Sequence, residues 1–386
     1  MSLRVAFTGG GTGGHIYPAL GIDDALRAAV APEAYERRFF GSRRGLEAKL
    51  VTTMALDFIP SAPLQRRLSP DTLRTLGRNI GGVAVALGAL LAYRPTLVIA
   101  TGGYVCFPVV VAARMLRLAR LLDARIALLE INAVPGLTNR LLGPLVDEVW
   151  TSYAASGRFF GKKARLTGPP VRTSIANRLP PTAARTALGL DPERTTIVVM
   201  GGSQGARSIN NAVTDWVTSR PLPPDWQILH VSGERDFAAL TERQAQLAAG
   251  NLVRLVPYLD DPGPAYFAAD VAVTRSGAST LAELAVTGTP AVLVPFPHAS
   301  EDHQSANAQA FAAGGAALVL RDAELDAQSL VAALQKCLEP DRLACMRAAA
   351  ALLSPDRGAA KIVERITALA GPRVAHSAGP NELARD

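Results

Sequence analysis

A chain of 386 residues is longer than a single core usually encloses, so two domains are expected. Hydrophobic residues at 49% against 19% charged supply two packed cores and exclude general disorder. A formal charge of +7 fits an anionic partner or merely a basic surface, and three scattered cysteines, Cys106, Cys337 and Cys345, fit neither a disulfide framework nor a metal site and suggest a reducing compartment.

The opening "MSLRVAFTGGG" runs from a short strand straight into glycines, without the apolar stretch of a secretory signal, so a cytoplasmic protein is expected. The strand leads into "TGGGTGGHIYPAL", where five of the six positions from Gly9 to Gly14 are glycine. Gly9, Gly11 and Gly14 satisfy the G-x-G-x-x-G dinucleotide fingerprint. A dinucleotide site also needs an acid at the end of the second strand to hold the ribose. The second strand, "RRFFGS", ends in Gly41-Ser42, and Glu33 and Glu36 precede it. What remains is a loop whose backbone N–H groups suit phosphate or diphosphate oxygens. Tight helix-on-sheet packing is expected to account for one or two of the glycines. His15, where loop meets helix, is either a structural hydrogen-bonder or a base kept neutral by the helix dipole.

Further strand-loop-helix units occur at "TLVIAT" into "GGYVCFP" and "RIALLE" into "INAVPGLTNRLL", the pattern of a parallel sheet covered on both faces. The uncharged run Pro95 to Ala113 contains Pro95, Gly102, Gly103 and Pro108, so it reads as strand, loop and helix rather than a membrane span. Before it, Asn79 to Tyr93 is uncharged and comes after Arg74 and Arg78, while Arg114, Arg117 and Arg120 lie on a later helix. Apolar surface rimmed by arginine suits anionic headgroups; ordinary core helices with solvated arginines are the alternative.

Prolines cluster around "RLTGPPVRTSIANRLPPT", a linker, after which the same grammar restarts at "TTIVVM" into "GGSQGARSINNAV", "WQILHVSG", "NLVRLVPYL", "ADVAVTRSGASTLAELAV" and "TPAVLVPFP". Gly-Gly turns end strands in both halves, so the expected active site is a cleft between two domains facing each other. In the second half, Ser276 to Thr280 offers amides and hydroxyls for a diphosphate at a helix start. Glu283 either accepts two ribose hydroxyls or forms a capping box with Thr280. No D-x-D triplet for a metal clip occurs anywhere in the chain.

Together "GGGTGGHIYPAL", "GGYV", "GPPVR", "GGSQGAR", "SGASTLAEL" and "PFPHASEDHQSANA", in this order along nearly the whole chain, resemble the MurG family of inverting glycosyltransferases. The resemblance implies an α/β GT-B fold, with two Rossmann-like domains whose parallel sheets face an interdomain cleft. Residues 1–168 are the expected acceptor-binding, membrane-facing domain and 169–355 the UDP-sugar domain. A helix at 356–370 is expected to pack back on the first, and 371–386 to form a mobile tail. The implied reaction moves N-acetylglucosamine from UDP-N-acetylglucosamine to the 4-hydroxyl of the MurNAc unit of undecaprenyl-diphosphate-MurNAc-pentapeptide, making lipid II from lipid I. Neither metal nor cofactor is implied.

The same resemblance carries site residues. Ser203 and its glycine loop fall near the diphosphate, Leu259 at the uracil, and Ala278, Ser279, Thr280, Leu281, Ala282 and Glu283 along phosphates and ribose. Gln304 falls at the sugar, and Arg172 with the nucleotide-sugar set. Thr12, Gly13, Gly14 and Asn132 reach toward the transferred sugar, and His15 is the candidate base or base-orienter. The chain departs from the family at "LEIN", where His-Glu-Gln-Asn is usual, at "GPPVR", where Gly-Asn-Pro is usual, and at Phe107, where glycine is usual. Expected partners are the UDP-sugar, lipid I and an anionic membrane at the cytoplasmic face of the inner membrane, held peripherally. A UDP-N-acetylglucosamine 2-epimerase or another UDP-sugar transferase would share the donor site. A nucleic-acid binder would explain the charge, but 5% aromatic residues and no recognition motif speak against it.

Overall fold

A computed structural model of the chain describes residues 2–43, 45–63, 70–172, 175, 179–202, 205–244, 252–299, 302–353 and 358–371. The tail expected from 371 lies, past its first residue, outside them. The chain divides into two compact units, Met1–Arg172 with Asp356–Asp386, and Thr173–Pro355.

The first unit is built on seven parallel strands: β1 (Leu3–Thr8), β2 (Tyr35–Gly41), β3 (Ala55–Phe58), β4 (Leu97–Ala100), β5 (Arg125–Glu130), β6 (Glu148–Thr151) and β7 (Ala164–Leu166), in the order β3-β2-β1-β4-β5-β6-β7. The second has six, β8 (Thr195–Met200), β9 (Trp226–Val231), β10 (Val253–Val256), β11 (Val271–Thr274), β12 (Ala291–Leu293) and β13 (Ala317–Val319), in the order β10-β9-β8-β11-β12-β13. Central strands such as "LVIA" and "VAVT" are buried along their whole length because helices cover both faces, which is why they carry no polar alternation. Each sheet reverses its winding between its first and fourth strands. The crevices beyond β1/β4 and β8/β11 are therefore the topological switch points, where open α/β sheets hold ligands.

The boundary between the units falls four residues later than the expected 168/169 division. Residues 169–172 stay with the first unit because its helices have left room for them. Gly21 packs directly on the Val171 backbone, Gly358 on the Pro169 carbonyl, and the Arg172 guanidinium lies over the Tyr17 ring at 4.3 Å. The C-terminal helix Gly358–Ala370 packs against the helix Gly13–Ala29, and Arg365 forms an ion pair with Glu148 at the start of β6.

The helix Pro70–Tyr93 includes a stretch, Arg74–Tyr93, long and apolar enough by composition to cross a membrane, with a mean hydropathy of 1.4. Its inner residues Ala86, Leu90 and Tyr93 belong to the core of the first unit, so it is a helix of that unit with one face open. On the open face Ile80 is 62% exposed. The neighbouring helix Cys106–Leu118 ends in an exposed Leu118 (69%), with Met115 and Leu121 beside it. Of the arginines expected to rim this surface, Arg117 is instead engaged by the Asp147 carboxylate at 2.6 Å, while Arg74, Arg78 and Arg120 are exposed.

In the second sheet His230 of β9 is fully buried. Its Nε2–H donates to Asn210 Oδ1 at 3.0 Å, because Asn210 Nδ2 already donates to the Ser232 carbonyl and to Asp236. Burial pulls the imidazole down to a pKa of about 4. The unfolded chain therefore binds a proton at higher pH than the folded one. The stability that goes with the neutral ring is complete above the unfolded value and is lost as pH falls through the folded one. Between pH about 6.5 and about 4 the wild type should lose up to ~3 kcal/mol through this residue. Melting curves across that range should fall less steeply for His230→Gln; equal slopes would exclude the assignment.

Candidate functional site

At the switch point of the first unit, Thr8 of β1 lies in register with Ala100 of β4, and the loops 9–12 and 101–105 leave the sheet side by side. The Gly10 N–H donates to the Gly102 carbonyl at 3.3 Å, and the Thr101 hydroxyl donates to the His15 carbonyl at 2.6 Å. Cys106, fully buried, donates its thiol to the Thr8 and Gly102 carbonyls. Burial pushes that thiol up to about 12, so it ties the two loops together as a neutral group.

Most of the loop's glycines answer to this packing. A Cβ at Gly9 would run into the Thr101 hydroxyl, and one at Gly10 into the Glu47 carboxylate. At Gly11, which has φ +88°, a Cβ would lie 2.9 Å from the Tyr104 ring, and at Gly13 one would lie 3.0 Å from Tyr17. Only at Gly14 is there room, the nearest atom being Thr12 Oγ1 at 3.6 Å. The expectation that packing explains one or two glycines is thereby corrected: it explains four, and Gly14 is the one whose missing side chain serves nothing inside the protein. The acid absent from the end of β2 is also replaced in an unexpected way. Glu47, just beyond it, is fully buried and accepts the Gly11 N–H at 3.2 Å, so that amide is committed to the protein.

The helix Gly13–Ala29 starts after Thr12, whose side chain makes no capping bond, so the first-turn positions Gly13, Gly14 and His15 lie beside the crevice. The His15 ring rests on the Gly102–Gly103 turn, both of whose glycines have positive φ; a Cβ at Gly102 would lie 2.6 Å from Nδ1. Nδ1 is 3.2 Å from the Thr101 carbonyl. A carbonyl only accepts, so Nδ1 carries the hydrogen and the neutral ring keeps its lone pair on Nε2. At the end of β5, Glu130 is fully buried and accepts from Asn132 twice, backbone at 2.8 Å and side chain at 3.0 Å, and from Asn139 at 2.8 Å; burial raises its carboxyl above the ordinary value. Leu129 and Ile131, where the family usually has polar residues, are both buried.

In the second unit β11 ends at Thr274, and Arg275 secures the turn beyond it. Its guanidinium donates to the carbonyls of Val294 and Pro295 and to Ser208, and pairs with Asp322. The helix Ala278–Thr287 has Gly277 as its N-cap residue, which places Thr280 inside the first turn. The capping-box reading of Thr280 and Glu283 is thereby corrected, since the box needs Thr280 at the cap itself. Ala278, Leu281 and Ala282 face the core, Glu283 is largely buried in the second turn, and Ser279 and Thr280 are half-buried. Ser276 donates to the Gln304 carbonyl at 2.8 Å, and Gln304 Oε1 accepts the Phe296 N–H at 3.0 Å, so the structure brings Gln304 and the Ser276–Glu283 stretch together. Leu259 lies three residues past β10, at the sheet's edge, half-buried against the core. Ser203 lies outside the described residues. Arg172, expected with the nucleotide-sugar set, is on Tyr17 in the first unit. Among the described residues no three His, Cys, Asp or Glu side chains gather as a metal site would require.

Residues 5–151 match the family model described as the glycosyltransferase family 28 N-terminal domain, and residues 196–365 the glycosyltransferase family 28 C-terminal domain. A protein of Desulforudis audaxviator named UDP-N-acetylglucosamine--N-acetylmuramyl-(pentapeptide) pyrophosphoryl-undecaprenol N-acetylglucosamine transferase is 38% identical over 96% of this chain and 99% of its own length. A protein of the same name from Listeria welshimeri is 35% identical over 94% and 99%. Among solved structures, MurG of Acinetobacter baumannii superposes with a TM-score of 0.71 at 24% identity, covering 95% of this chain and 99% of that one. A putative UDP-N-acetylglucosamine 2-epimerase from Listeria monocytogenes reaches 0.64 at 15% identity over 95% and 96%. At these identities both show a shared fold.

The glycine geometry separates packing from function. Gly10→Ala should destabilise the fold by ~1–3 kcal/mol, because the new methyl overlaps a buried carboxylate. Gly14→Ala, in a helical first turn with open space, should change stability by no more than about 1 kcal/mol, in either direction. Thermal unfolding of the two variants checks this; equal losses would mean that Gly14 too is a packing glycine.

Proposed function

The chain belongs to glycosyltransferase family 28, among the UDP-N-acetylglucosamine–N-acetylmuramyl-(pentapeptide) pyrophosphoryl-undecaprenol N-acetylglucosamine transferases, and from that premise we propose that it makes lipid II from lipid I. N-acetylglucosamine passes from UDP-N-acetylglucosamine to the 4-hydroxyl of the muramyl unit of undecaprenyl-diphosphate-MurNAc-pentapeptide, with inversion at the anomeric carbon. The observation that carries this is the 38% identity along 96% of the chain to a relative so named. An epimerase reading has only a shared fold in its favour, at 15% identity.

On this reading the first unit binds the acceptor and the second the UDP-sugar. His15 Nε2 takes the proton of the attacking hydroxyl as the new glycosidic bond forms; the Thr101 carbonyl, holding Nδ1–H, fixes the tautomer that leaves Nε2 basic. The C1–O bond to UDP breaks in the same displacement, and its electron pair leaves on the β-phosphate. The start of the helix Ala278–Thr287, with Ser279 and Thr280 in its first turn, receives that charge, and Ser203 is assigned to the same diphosphate. Glu283 accepts the ribose hydroxyls, Leu259 borders the uracil and Gln304 addresses the sugar. Thr12, Gly13, Gly14 and Asn132 address the transferred sugar, and Arg172, over the Tyr17 ring, belongs with the nucleotide-sugar set. The absence of a D-x-D triplet supports a transfer that uses these donors in place of a metal clip.

The enzyme works peripherally at the cytoplasmic face of the inner membrane. Supporting this is the open apolar face of the helix Pro70–Tyr93 and its neighbour, with Ile80 and Leu118 exposed and Arg74, Arg78 and Arg120 beside them.

Radiolabelled UDP-N-acetylglucosamine incubated with lipid I should give labelled lipid II at the same rate with and without chelator, and Glu283→Ala should weaken UDP-sugar binding by ~10-fold or more with an unchanged melting temperature. Unchanged affinity in that variant would remove Glu283 from the donor site, and no labelled product from the wild type would overturn the function. In sedimentation with anionic liposomes the protein should pellet at low salt and be released as salt rises; no pelleting at low salt would refute membrane binding.

A further inference from the structure

One buried acid in the first unit is left unused by this mechanism. Glu47 opens the short helix Glu47–Leu50 and is fully buried. Its Oε1 accepts two backbone amides from different segments, Ser42 N–H at 3.0 Å, just past β2, and Gly11 N–H at 3.2 Å, in the glycine loop. Oε2 is buried and has no hydrogen-bond partner among the described residues. Three glycines make room for this side chain. A Cβ at Gly10 would collide with Oε1, one at Gly45 with Oε2, and one at Gly41 would lie 2.9 Å from Cγ. The Tyr104 ring backs Gly11, and its hydroxyl lies 3.5 Å from Ser42 Oγ.

A carboxylate with one oxygen unmet is a costly filler for a space that ordinary apolar side chains could occupy. What it does achieve is a fixed distance between the end of β2 and the Gly11 amide. Gly11 lies two residues before the helix whose first turn carries Gly14 and His15, so a shift of its peptide is passed directly into that turn. We propose that Glu47 is a positioning residue for the transfer reaction: by gripping the Gly11 amide it holds the glycine loop in the shape that presents His15 to the acceptor hydroxyl. This rests on the reading of the first unit as the acceptor side. Glu47 itself touches no substrate, being closed off beneath the loop.

The test uses the full chain with Glu47→Ala, Glu47→Gln and Glu47→Asp. The amide of Gln keeps an acceptor oxygen at the Oε1 position. Asp is one methylene shorter, keeps the carboxylate and withdraws it from Gly11. Two readouts are taken: transfer kinetics, with kcat separated from the KM for UDP-N-acetylglucosamine, and peptide-level hydrogen exchange over residues 9–14. Expected are a ~10–100-fold loss of kcat in Glu47→Ala and Glu47→Asp, with KM for the UDP-sugar within about twofold, and faster exchange in the loop. Glu47→Gln should return kcat to within about fivefold of wild type, with protected loop amides. Wild-type kcat in Glu47→Asp, or losses as large in Glu47→Gln as in Glu47→Asp, would overturn the proposal, as would unchanged loop exchange in Glu47→Asp. If Glu47→Ala does not fold, the other two variants still decide. If the wild type transfers nothing, the functional reading fails by itself, and loop exchange alone decides whether Glu47 holds the loop.

Discussion

The first unit's site depends on side chains being absent where two loops leave the sheet together. Between β1 and β4, the Thr101 hydroxyl, the Glu47 carboxylate and the Tyr104 ring all press against the segment 9–14, and each occupies the place a Cβ would take. Close packing of this kind makes the seam stiff, since interiors at native density deform only by displacing neighbours. The same glycines that read as a ligand cradle are therefore, in the main, the cost of rigidity. The stiffness reaches His15, whose ring lies on Gly102 and Gly103 and whose carbonyl is held by Thr101. An imidazole seated this way keeps its orientation and its tautomer before any ligand arrives, which is what the proposed role of His15 as base requires.

Both units share the winding in which the first and fourth strands meet at the centre, yet they furnish that seam differently. In the first, the polar groups beneath the loop are turned inward: Glu47 takes the Gly11 amide, and Glu130 accepts from the backbone and the side-chain amide of Asn132. In the second, the seam is fastened from the flank by Arg275, which draws in the carbonyls of Val294 and Pro295 together with Ser208 and Asp322, and the first turn after Gly277 carries hydroxyls. The Gly11 amide, already satisfied by a buried carboxylate, is not available to a ligand. A helix start with hydroxyls in its first turn suits the diphosphate of a nucleotide sugar. The asymmetry of chemistry on a symmetric scaffold supports the proposed placing of the donor on the second unit.

Much of the scaffold was legible because central parallel strands are apolar on both faces. "LRVAFT", "RIALLE" and "TTIVVM" read as strands and are β1, β5 and β8 with the same bounds. The strands not read, β3, β6, β7 and β13, have three or four residues each; β3, β7 and β13 lie at or near sheet edges, where partial exposure blurs the pattern, and β6 holds Glu148, whose charge is met by Arg365 from the far end of the chain. In the site, helix starts were legible from Gly and Ser spacing. The origin of the glycines was not, because it depends on Glu47 and Thr101, 37 and 92 residues away from Gly10 and Gly9, and sequence spacing carries no record of such contacts. The S/T-x-x-E spacing at Thr280 misled for a local reason: the helix begins earlier than that box needs.

The helix Cys106–Leu118 joins the two tasks that the proposed lipid-linked acceptor would impose on the first unit. Its N-terminal end comes directly after the Gly102–Gly103 turn that seats His15, and its thiol at Cys106 is tied to both loops of the seam. Its C-terminal end exposes Met115 and Leu118, beside the helix Pro70–Tyr93, which approaches so closely that Gly82 has no room for a Cβ against the Pro60 carbonyl and Pro108. Thirteen residues of α-helix span roughly 20 Å. One rigid element thus sets the separation between the proposed base and the proposed lipid-facing surface, and no hinge intervenes between them. On the proposed reading, this helix therefore fixes how far the lipid-facing surface stands from His15, and a lipid-linked sugar has to bridge that distance through its diphosphate.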